Sequence, residues 1–502
     1  MSGVLGIDNK AVDAVISLET RHYRGKSTFS GSTYDVSHKT DLQEFSPSSK
    51  ITVKNYTKKI LKTQKPLYAA ANFAIMNGTR HGGTKMKVEF GYGRSTQIVD
   101  IPDKNIDGIL YANETEHERR GPDAVKYALL NPVGSPRLKD LAKPGQKICI
   151  ITSDISRPLP SFDVIPSILD ELYEGGCDPK DIKVVFALGS HRPHTEEEKK
   201  KLVGERVYSE VLCVDSDPSD CIHMGTTSRG TPVDITRSVA EADFRIGVGN
   251  IEFHYFAGYS GGAKALMPGV STPSAIQANH SMMVDEKACA GNLNGNPIRA
   301  DIEESETFCH LSFIVNPVLD EHKHIVYCVA GDVTEAHRAG CRYLDKMYRK
   351  PLKRRADIVI VSQGGAPKDA NLYQTQKALD NSKYAVRDGG TIIVIGACNE
   401  GLGSAKFEEW LTTARTPDEL IDRVGKDFQL GGHKAAAIAM VLKHAKIVLI
   451  SEMDDDFVRS IFLEPMHSAQ EAFDEAYARY GEDCSVICMP FGGATLPIPP
   501  QE

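Results

Sequence analysis

The chain has 502 residues, which is too long for one hydrophobic core, so we expect two or three domains. Its formal net charge of −8 argues against a general nucleic-acid-binding protein. No apolar run approaches the length of a membrane span, and the first residues lack the basic-then-apolar order of a secretion signal. We therefore expect a cytoplasmic protein with no membrane partner. The eleven cysteines form no CxxC pair and are expected to be reduced thiols, mostly in the core.

Residues 1–85 differ in composition from the rest of the chain. They carry 13 Lys and Arg against 6 Asp and Glu, a charge of +7, and residues 25–50 show no regular apolar period. We interpret 1–85 as an N-terminal appendage. Two explanations stay open: an accessory subdomain, or a start assigned too far upstream with Met86 as the true initiator.

Strand-like and helix-like patterns alternate from about residue 145. Apolar runs predict buried strands at 147–152, 182–188 and 242–248, with a helix at 162–174 between the first two. This alternation is typical of a mostly parallel α/β sheet.

Polar residues follow the ends of these three strands. Asp154 and Arg157 come after the first strand, His191 after the second and His254 after the third. In open α/β sheets, ligands bind beyond the carboxyl ends of the strands. We therefore expect these residues to meet in one site.

A charged stretch containing a proline, at 350–355, predicts a domain boundary. Four more strands are predicted after it, at 358–362, 391–395, 446–450 and 485–489. The predicted fold is α/β: two α/β domains, 86–350 and 351–502, with mostly parallel sheets that face each other across an interdomain cleft, plus the N-terminal appendage 1–85. After the first of these four strands, a helix is predicted to begin near residue 371, which places Tyr373 and Lys377 on one face.

One glycine-rich stretch, HYFAGYSGGAKALMPG at 254–269, contains both His254 and Lys264, and His280 follows Lys264 by sixteen residues. Small residues around a lysine allow a flat group to lie against the backbone, so we expect a cofactor site here. The stretch is not a Walker A loop, because no GK[ST] completes it, and the chain has no HExxH motif. A zinc site made of His191, His254 and His280 remains an alternative at this point.

Several motifs together give the chain a specific resemblance. From about residue 88 to the C-terminus it resembles the nickel-dependent lactate racemase family. The motifs are SDISRP (153–158), GSHRPHTEEE (189–198), EFHYFAGYSGGAKALMPG (252–269), NH (279–280), LYQTQK (372–377) and EGLGS (400–404). The spacings of His254, Lys264 and His280 also fit the family pattern.

The resemblance implies a racemase or epimerase of a small-molecule 2-hydroxy acid that works by hydride transfer to and from a nickel-pincer nucleotide. This cofactor is a pyridinium-3-thioamide-5-thiocarboxylic acid mononucleotide, made and loaded by separate cofactor-assembly enzymes that would be transient partners. By resemblance, the site residues are Lys264 as the covalent attachment point, His280 as the nickel ligand, His191 and His254 as the acid/base pair, Arg157 and Lys377 as ligands of the substrate carboxylate, and Asp154, Tyr373 and Gln374 as residues that line or orient the site, Asp154 towards the cofactor.

The chain departs from the family pattern in one place. Lactate-specific members resemble each other in a bulky aromatic wall after the GGH motif, whereas this chain continues with Lys434 and three alanines, 435–437. We therefore expect a 2-hydroxy acid larger than lactate. Two alternatives from other classes stay open: a zinc-dependent hydrolase or lyase, and a non-catalytic carrier of nickel or the cofactor.

Overall fold

The structure, a computed structural model, describes residues 85–500. The predicted appendage therefore lies outside the described residues except for Lys85, and both explanations for it stay predictions. The strands are β1 (Lys85–Tyr92), β2 (Ser95–Pro102), β3 (Ile106–Ile109), β4 (Ile148–Ser153), β5 (Ile182–Ala187), β6 (Leu212–Asp215), β7 (Cys221–Thr226), β8 (Pro232–Thr236), β9 (Phe244–Val248), β10 (Phe253–His254), β11 (Gly258–Tyr259), β12 (Phe313–Leu319), β13 (Ile325–Gly331), β14 (Arg349–Pro351), β15 (Ala356–Ser362), β16 (Val386–Ile395), β17 (Ala445–Ile450), β18 (Glu464–Met466), β19 (Val486–Met489) and β20 (Leu496–Ile498).

The α-helices are α1 (Gly121–Leu130), α2 (Leu138–Leu141), α3 (Ser161–Glu174), α4 (Glu196–Glu210), α5 (Arg237–Ala240), α6 (Pro273–Ser281), α7 (Pro297–Glu306), α8 (Glu335–Tyr348), α9 (Leu372–Ser382), α10 (Ala405–Thr413), α11 (Pro417–Lys426), α12 (Gly432–Leu442), α13 (Asp455–Ser460) and α14 (Ala469–Tyr480). Short 3-10 turns join some of these elements, and one of them, Gly262–Ala265, carries Lys264.

The first large sheet has the strand order β13-β12-β9-β4-β5-β6. All neighbouring pairs are parallel except β12 and β13. Its central strands are continuous apolar runs because helices cover both faces, α1, α3 and α4 on one and α5 and α8 on the other. The strands predicted at 147–152, 182–188 and 242–248 are thereby confirmed as β4, β5 and β9.

The second large sheet has the order β18-β17-β16-β15-β19-β3, and every pair in it is parallel. Helices α9, α10 and α12 pack on one face, while α14 and the β1–β2 hairpin pack on the other. The two sheets confirm the predicted class of a mostly parallel α/β protein with two units.

The first described residues, those of the β1–β2 hairpin, pack on the second sheet. The sequence predicts instead that residues from 86 onward belong to the first domain. The hairpin buries alternate residues, Val88 and Phe90 on β1 and Val99 and Ile101 on β2, against the apolar face of the second sheet. Strand β3 then pairs with β19. We propose that 85–109 belong with the C-terminal unit, and the boundary near 350 stays a prediction.

The two units share packing around the site. One core cluster contains Phe256, Met267 and Ile276 from the N-terminal half together with Phe407 and Ala435 from the C-terminal half. All eleven cysteines are free thiols, and nine of them are buried. Between residues 85 and 500, no helix is both long and apolar enough to cross a membrane.

Candidate active site

A cavity of about 150 Å³ lies at the carboxyl ends of β4, β5 and β9, which are neighbours in the first sheet. Six of the nine predicted site residues line it: Asp154, Arg157, His191, His254, Lys264 and His280. Four of the six, Asp154, Arg157, His191 and His254, were expected to meet because they follow strand ends, and they do line one cavity. Tyr373, Gln374 and Lys377 do not line this cavity; they lie on the first two turns of α9 in the other unit.

His191 is oriented by a carboxylate. Its Nδ1 lies 2.6 Å from Oδ2 of Asp154 and 3.1 Å from Oγ of Ser156. Burial raises the pKa of the Asp154 carboxyl, but the bonds from His191 and Ser156 outweigh burial and hold that pKa below its usual value. Since an ionised carboxylate only accepts hydrogen bonds, Nδ1 of His191 carries a proton, which leaves Nε2 as the nitrogen that can act as a base. Asp154 thus contacts a predicted catalytic residue, and its role towards the cofactor stays a prediction.

His254 has a different environment. It lies in the small β10–β11 hairpin, and its Nδ1 accepts a hydrogen bond from the backbone N–H of Ala257 at 3.3 Å. Its ring stacks on Tyr255 with centroids 5.4 Å apart. Burial, and then the nearby Lys264 in its protonated form, lower the pKa of His254 well below the ordinary value. The ring is therefore neutral, with the proton on Nε2.

Lys264 lies on a tightly held loop. Gly261 and Gly262 precede it with φ of 77° and 62°, a conformation that favours glycine. Behind the loop, the buried Arg299 donates to the backbone carbonyls of Ala257 and Tyr259. Burial lowers the pKa of Lys264 well below 10.5, and the positive charges of Arg299 and Arg157 lower it further. Burial and these neighbouring charges therefore favour the neutral amine of Lys264 over its ammonium form.

His280 lies in the last turn of α6, which begins at the cap residue Thr272. Its Nδ1 lies 2.9 Å from Oδ1 of Asn279, and the edges of Phe256 and Phe428 enclose the ring. Burial lowers its pKa well below 6.5. A neutral imidazole with one nitrogen bonded to protein is the usual form of a metal-binding histidine.

The second unit brings a cluster of cations and aromatic rings towards Arg157. Asn371 caps α9 and confirms the helix predicted there. Burial lowers the pKa of Lys377, and the nearby Arg157 guanidinium adds to that effect. Lys434 donates to the carbonyl of Tyr373 and lies 4.0 Å from the centre of its ring.

Sequence reasoning missed three residues of this region. Arg299 and Lys434 are buried charges on helices α7 and α12, and in the sequence they look like ordinary surface positions. Glu252 lines the cavity two residues before His254, and its place in the EFHYF motif was the signal that could have identified it.

The arrangement combines a buried lysine, a candidate metal ligand, two further histidines and an arginine around one small cavity. Such a set can hold a cofactor, bind a carboxylate and move protons, which are the parts needed to act on a small hydroxy acid.

Comparison with known proteins identifies the family. The family description "Lactate racemase N-terminal domain" matches residues 92–291, and "Lactate racemase C-terminal domain" matches 352–496. The lactate racemase of Thermoanaerobacterium thermosaccharolyticum is 33% identical over 421 residues, which are 82% of this chain and 98% of that protein. The lactate racemase of Lactiplantibacillus plantarum is 33% identical over 417 residues, 81% of this chain and 98% of that protein.

Solved structures show the same relationship. The apoprotein structure of the T. thermosaccharolyticum lactate racemase superimposes with a TM-score of 0.74, covering 82% of this chain and 99% of that one at 33% identity. A Thermotoga maritima protein at 19% identity and a TM-score of 0.53 shares the fold. With matches of this length in both halves, the chain is an isomerase that belongs to the lactate racemase family.

Proposed function

We propose that this chain racemises or epimerises a 2-hydroxy acid by hydride transfer to and from a nickel-pincer nucleotide attached at Lys264. One observation carries the proposal: a single cavity is lined by the buried Lys264, by the candidate ligand His280 and by two histidines with different hydrogen-bond partners, His191 and His254.

The environment of Lys264 fits a covalent attachment point. An amine must be unprotonated to act as a nucleophile, and burial together with two neighbouring arginines favours that form. Backbone also forms much of the cavity wall, which allows a flat ring to approach closely. The glycines in the wall are Gly189, Gly249, Gly261, Gly262 and Gly269.

The environment of His280 fits a single protein ligand to nickel. Its Nδ1 bonds to Asn279, so Nε2 is the nitrogen available to a metal. His280 would then hold the nickel from the protein side, and the cofactor itself would supply the remaining, softer donors. Among residues 85–500 no three His, Cys, Asp or Glu side chains come close enough to hold a metal ion, so the zinc alternative lacks its ligands.

The protein's own residues move the protons. When bound, the cofactor supplies a hydride acceptor, which avoids a carbanion beside the substrate carboxylate. Nε2 of His191 accepts the hydroxyl proton of one enantiomer while Asp154 stabilises the imidazolium that forms. His254 serves the enantiomer whose hydroxyl points away from His191.

Cations at the cavity rim bind the substrate carboxylate. The Arg157 side chain is exposed, and within residues 85–500 it pairs with no carboxylate, so its planar donors are free for a ligand. Lys377 of the other unit lies close enough to Arg157 that the Arg157 charge contributes to lowering its pKa. It would be the second side chain that binds the carboxylate. Tyr373 and Gln374 lie at the start of the same helix and would line the substrate when it binds.

We further propose a substrate larger than lactate. Residues 435–437 are alanines buried in the core around α12, and Leu430 is the residue of the C-terminal unit that lines the cavity. No aromatic side chain follows the GGH motif to limit the substrate's size. A panel of 2-hydroxy acids, compared by kcat/KM, tests this, and lactate as the best substrate would overturn it.

The mass of the peptide that contains Lys264, measured together with nickel content, tests the cofactor assignment. The protein is produced beside the cofactor-assembly enzymes, and Lys264→Arg serves as the matched control. An adduct on Lys264 that rises with nickel content is the expected result. An unmodified Lys264 in active protein would overturn the proposal and favour a metal site without a covalently attached cofactor.

A further inference from the structure

We infer that Asp301 and Asn279 position His280 for metal binding through a buried chain of hydrogen bonds. The inference rests on the proposed role of His280 as the nickel ligand. Nothing else in the proposed function requires Asp301, which lies on α7 and does not line the cavity.

The chain of hydrogen bonds is continuous and shielded from solvent. Nδ2 of Asn279 donates to Oδ2 of Asp301 at 2.7 Å, and Oδ1 of Asn279 lies 2.9 Å from Nδ1 of His280. Asp301 and Asn279 are each 0% exposed, and His280 is 8% exposed. Bonds in such a dry environment are stronger than bonds at the surface.

The partners of Asn279 settle its orientation. Its amide nitrogen faces two acceptors, the carboxylate of Asp301 and the backbone carbonyl of Ile298 at 3.3 Å. Oδ1 is therefore the atom that faces His280, and it can only accept. Nδ1 of His280 must carry the proton, so the lone pair lies on Nε2, the nitrogen that a metal needs.

Asp301 is held by a turn that is otherwise remote from the site. The hydroxyl of Thr227 donates to Oδ1 at 2.5 Å, and that of Thr231 donates to Oδ2 at 2.7 Å. Both threonines lie at the turn between β7 and β8. No Lys, Arg or His among the described residues forms an ion pair with Asp301, so its negative charge is left to polarise the Asn279 amide.

This arrangement resembles the outer carboxylate that metal-binding histidines commonly use, with one amide inserted between the two groups. The polarised amide makes Oδ1 a better acceptor for the Nδ1 proton, which raises the donor strength of Nε2. Loss of such an outer partner typically weakens metal binding by about 10- to 100-fold.

The test is the rate at which nickel leaves the loaded protein when a chelator is added, measured beside the mass of the Lys264 peptide. Asp301→Asn keeps the size and can keep the hydrogen bonds, but it removes the charge. We expect its Lys264 adduct to match that of the wild type and its nickel to leave about 10 to 100 times faster.

A matched control comes from the same helix. Glu304 on α7 also binds the β7–β8 turn, through the backbone and hydroxyl of Ser228, but it makes no bond in the chain to His280. Glu304→Gln therefore loosens the same turn and should retain nickel as the wild type does. Nickel loss in both variants, with equal loss of thermal stability, would show a structural effect only and overturn the inference.

A second variant keeps the inference testable if Asp301→Asn does not fold. Asn279→Ala breaks the chain in the middle and leaves Asp301 with its two threonine donors, and it should speed nickel loss similarly. Wild-type nickel retention in whichever variant folds overturns the role of Asp301 and Asn279. Nickel retention in His280→Ala would instead overturn the proposed function itself.

Discussion

Replacing Asp154 with asparagine should impair turnover more than binding. The carboxylate of Asp154 lies 2.6 Å from Nδ1 of His191 and fixes both the orientation of the ring and the position of its proton. An asparagine in its place carries no charge, and if its amide nitrogen faced the ring, it would favour the tautomer that has no base at Nε2. The step that fails is the transfer of the substrate's hydroxyl proton to His191.

The size of the effect follows from the ion pair that forms during the reaction. An opposite charge in contact stabilises the charged form of a titrating group by about 1.4 to 4 kcal/mol. Asp154 is 3% exposed, so water screens this interaction little. We therefore expect kcat to fall about 10- to 1000-fold. KM should change little, because Asp154 does not bind the substrate carboxylate.

The assay is the initial rate of racemisation of the best 2-hydroxy acid, normalised to nickel content so that loading differences cancel. Glu306→Gln is the control, since Glu306 forms a pair of the same 2.6 Å length with His310, whose side chain is 70% exposed. That variant should turn over as the wild type does. A kcat for Asp154→Asn within about threefold of the control would refute the reasoning.

Three other outcomes are expected. Arg299→Gln removes a positive charge behind Lys264, so the pKa of Lys264 should rise; pH-dependent labelling by an amine reagent, read from the Lys264 peptide, measures it, and an unchanged profile contradicts the prediction. The apoprotein should lose stability below pH 6.5, because buried histidines such as His280 and His337 stay neutral when folded but bind protons when unfolded. The loss is about 1.4 kcal/mol per pH unit for each histidine, and a flat profile of melting temperature from pH 7 to 5 would count against it. Finally, the enantiomer whose hydroxyl faces His191 should show a higher kcat. Its KM should be higher in proportion, because kcat/KM must be equal for two enantiomers of equal energy. Identical kcat values from initial rates would exclude this asymmetry.

The central strands could be predicted because a continuous apolar run is visible in the local sequence, without knowledge of the strand it pairs with. β4, β5, β15 and β17 each begin within two residues of the predicted position. The β16 strand was harder, because its first five residues are VRDGG, which carry no apolar pattern. They extend the strand because Val386 pairs with Ala356, a contact that the sequence does not reveal.

The site was predictable where topology brings residues together and unpredictable where packing does. Asp154, His191 and His254 follow adjacent parallel strands, so the order of strands alone places them at one edge. Arg299 and Asp301 come from a helix whose sequence, PIRADIEESE, looks like an exposed charged helix. Both are buried with polar partners: Arg299 donates to backbone carbonyls of the glycine loop, and Asp301 accepts from Asn279.

The two histidines proposed as the acid/base pair differ in ways that the sequence could not show. His191 has a carboxylate at Nδ1, so its free Nε2 can accept a proton without rearrangement. Nδ1 of His254 accepts a backbone N–H instead, so its Nε2 carries the proton at rest. To act as a base, His254 must give up that 3.3 Å bond and move its proton to Nδ1. A backbone N–H bond of this length is weak, so the change is small in energy, but it is required for only one of the two enantiomers. In the proposed mechanism, a symmetric overall reaction therefore uses two bases with different hydrogen-bond partners, and His191, paired with Asp154, is the one that can accept a proton without rearrangement.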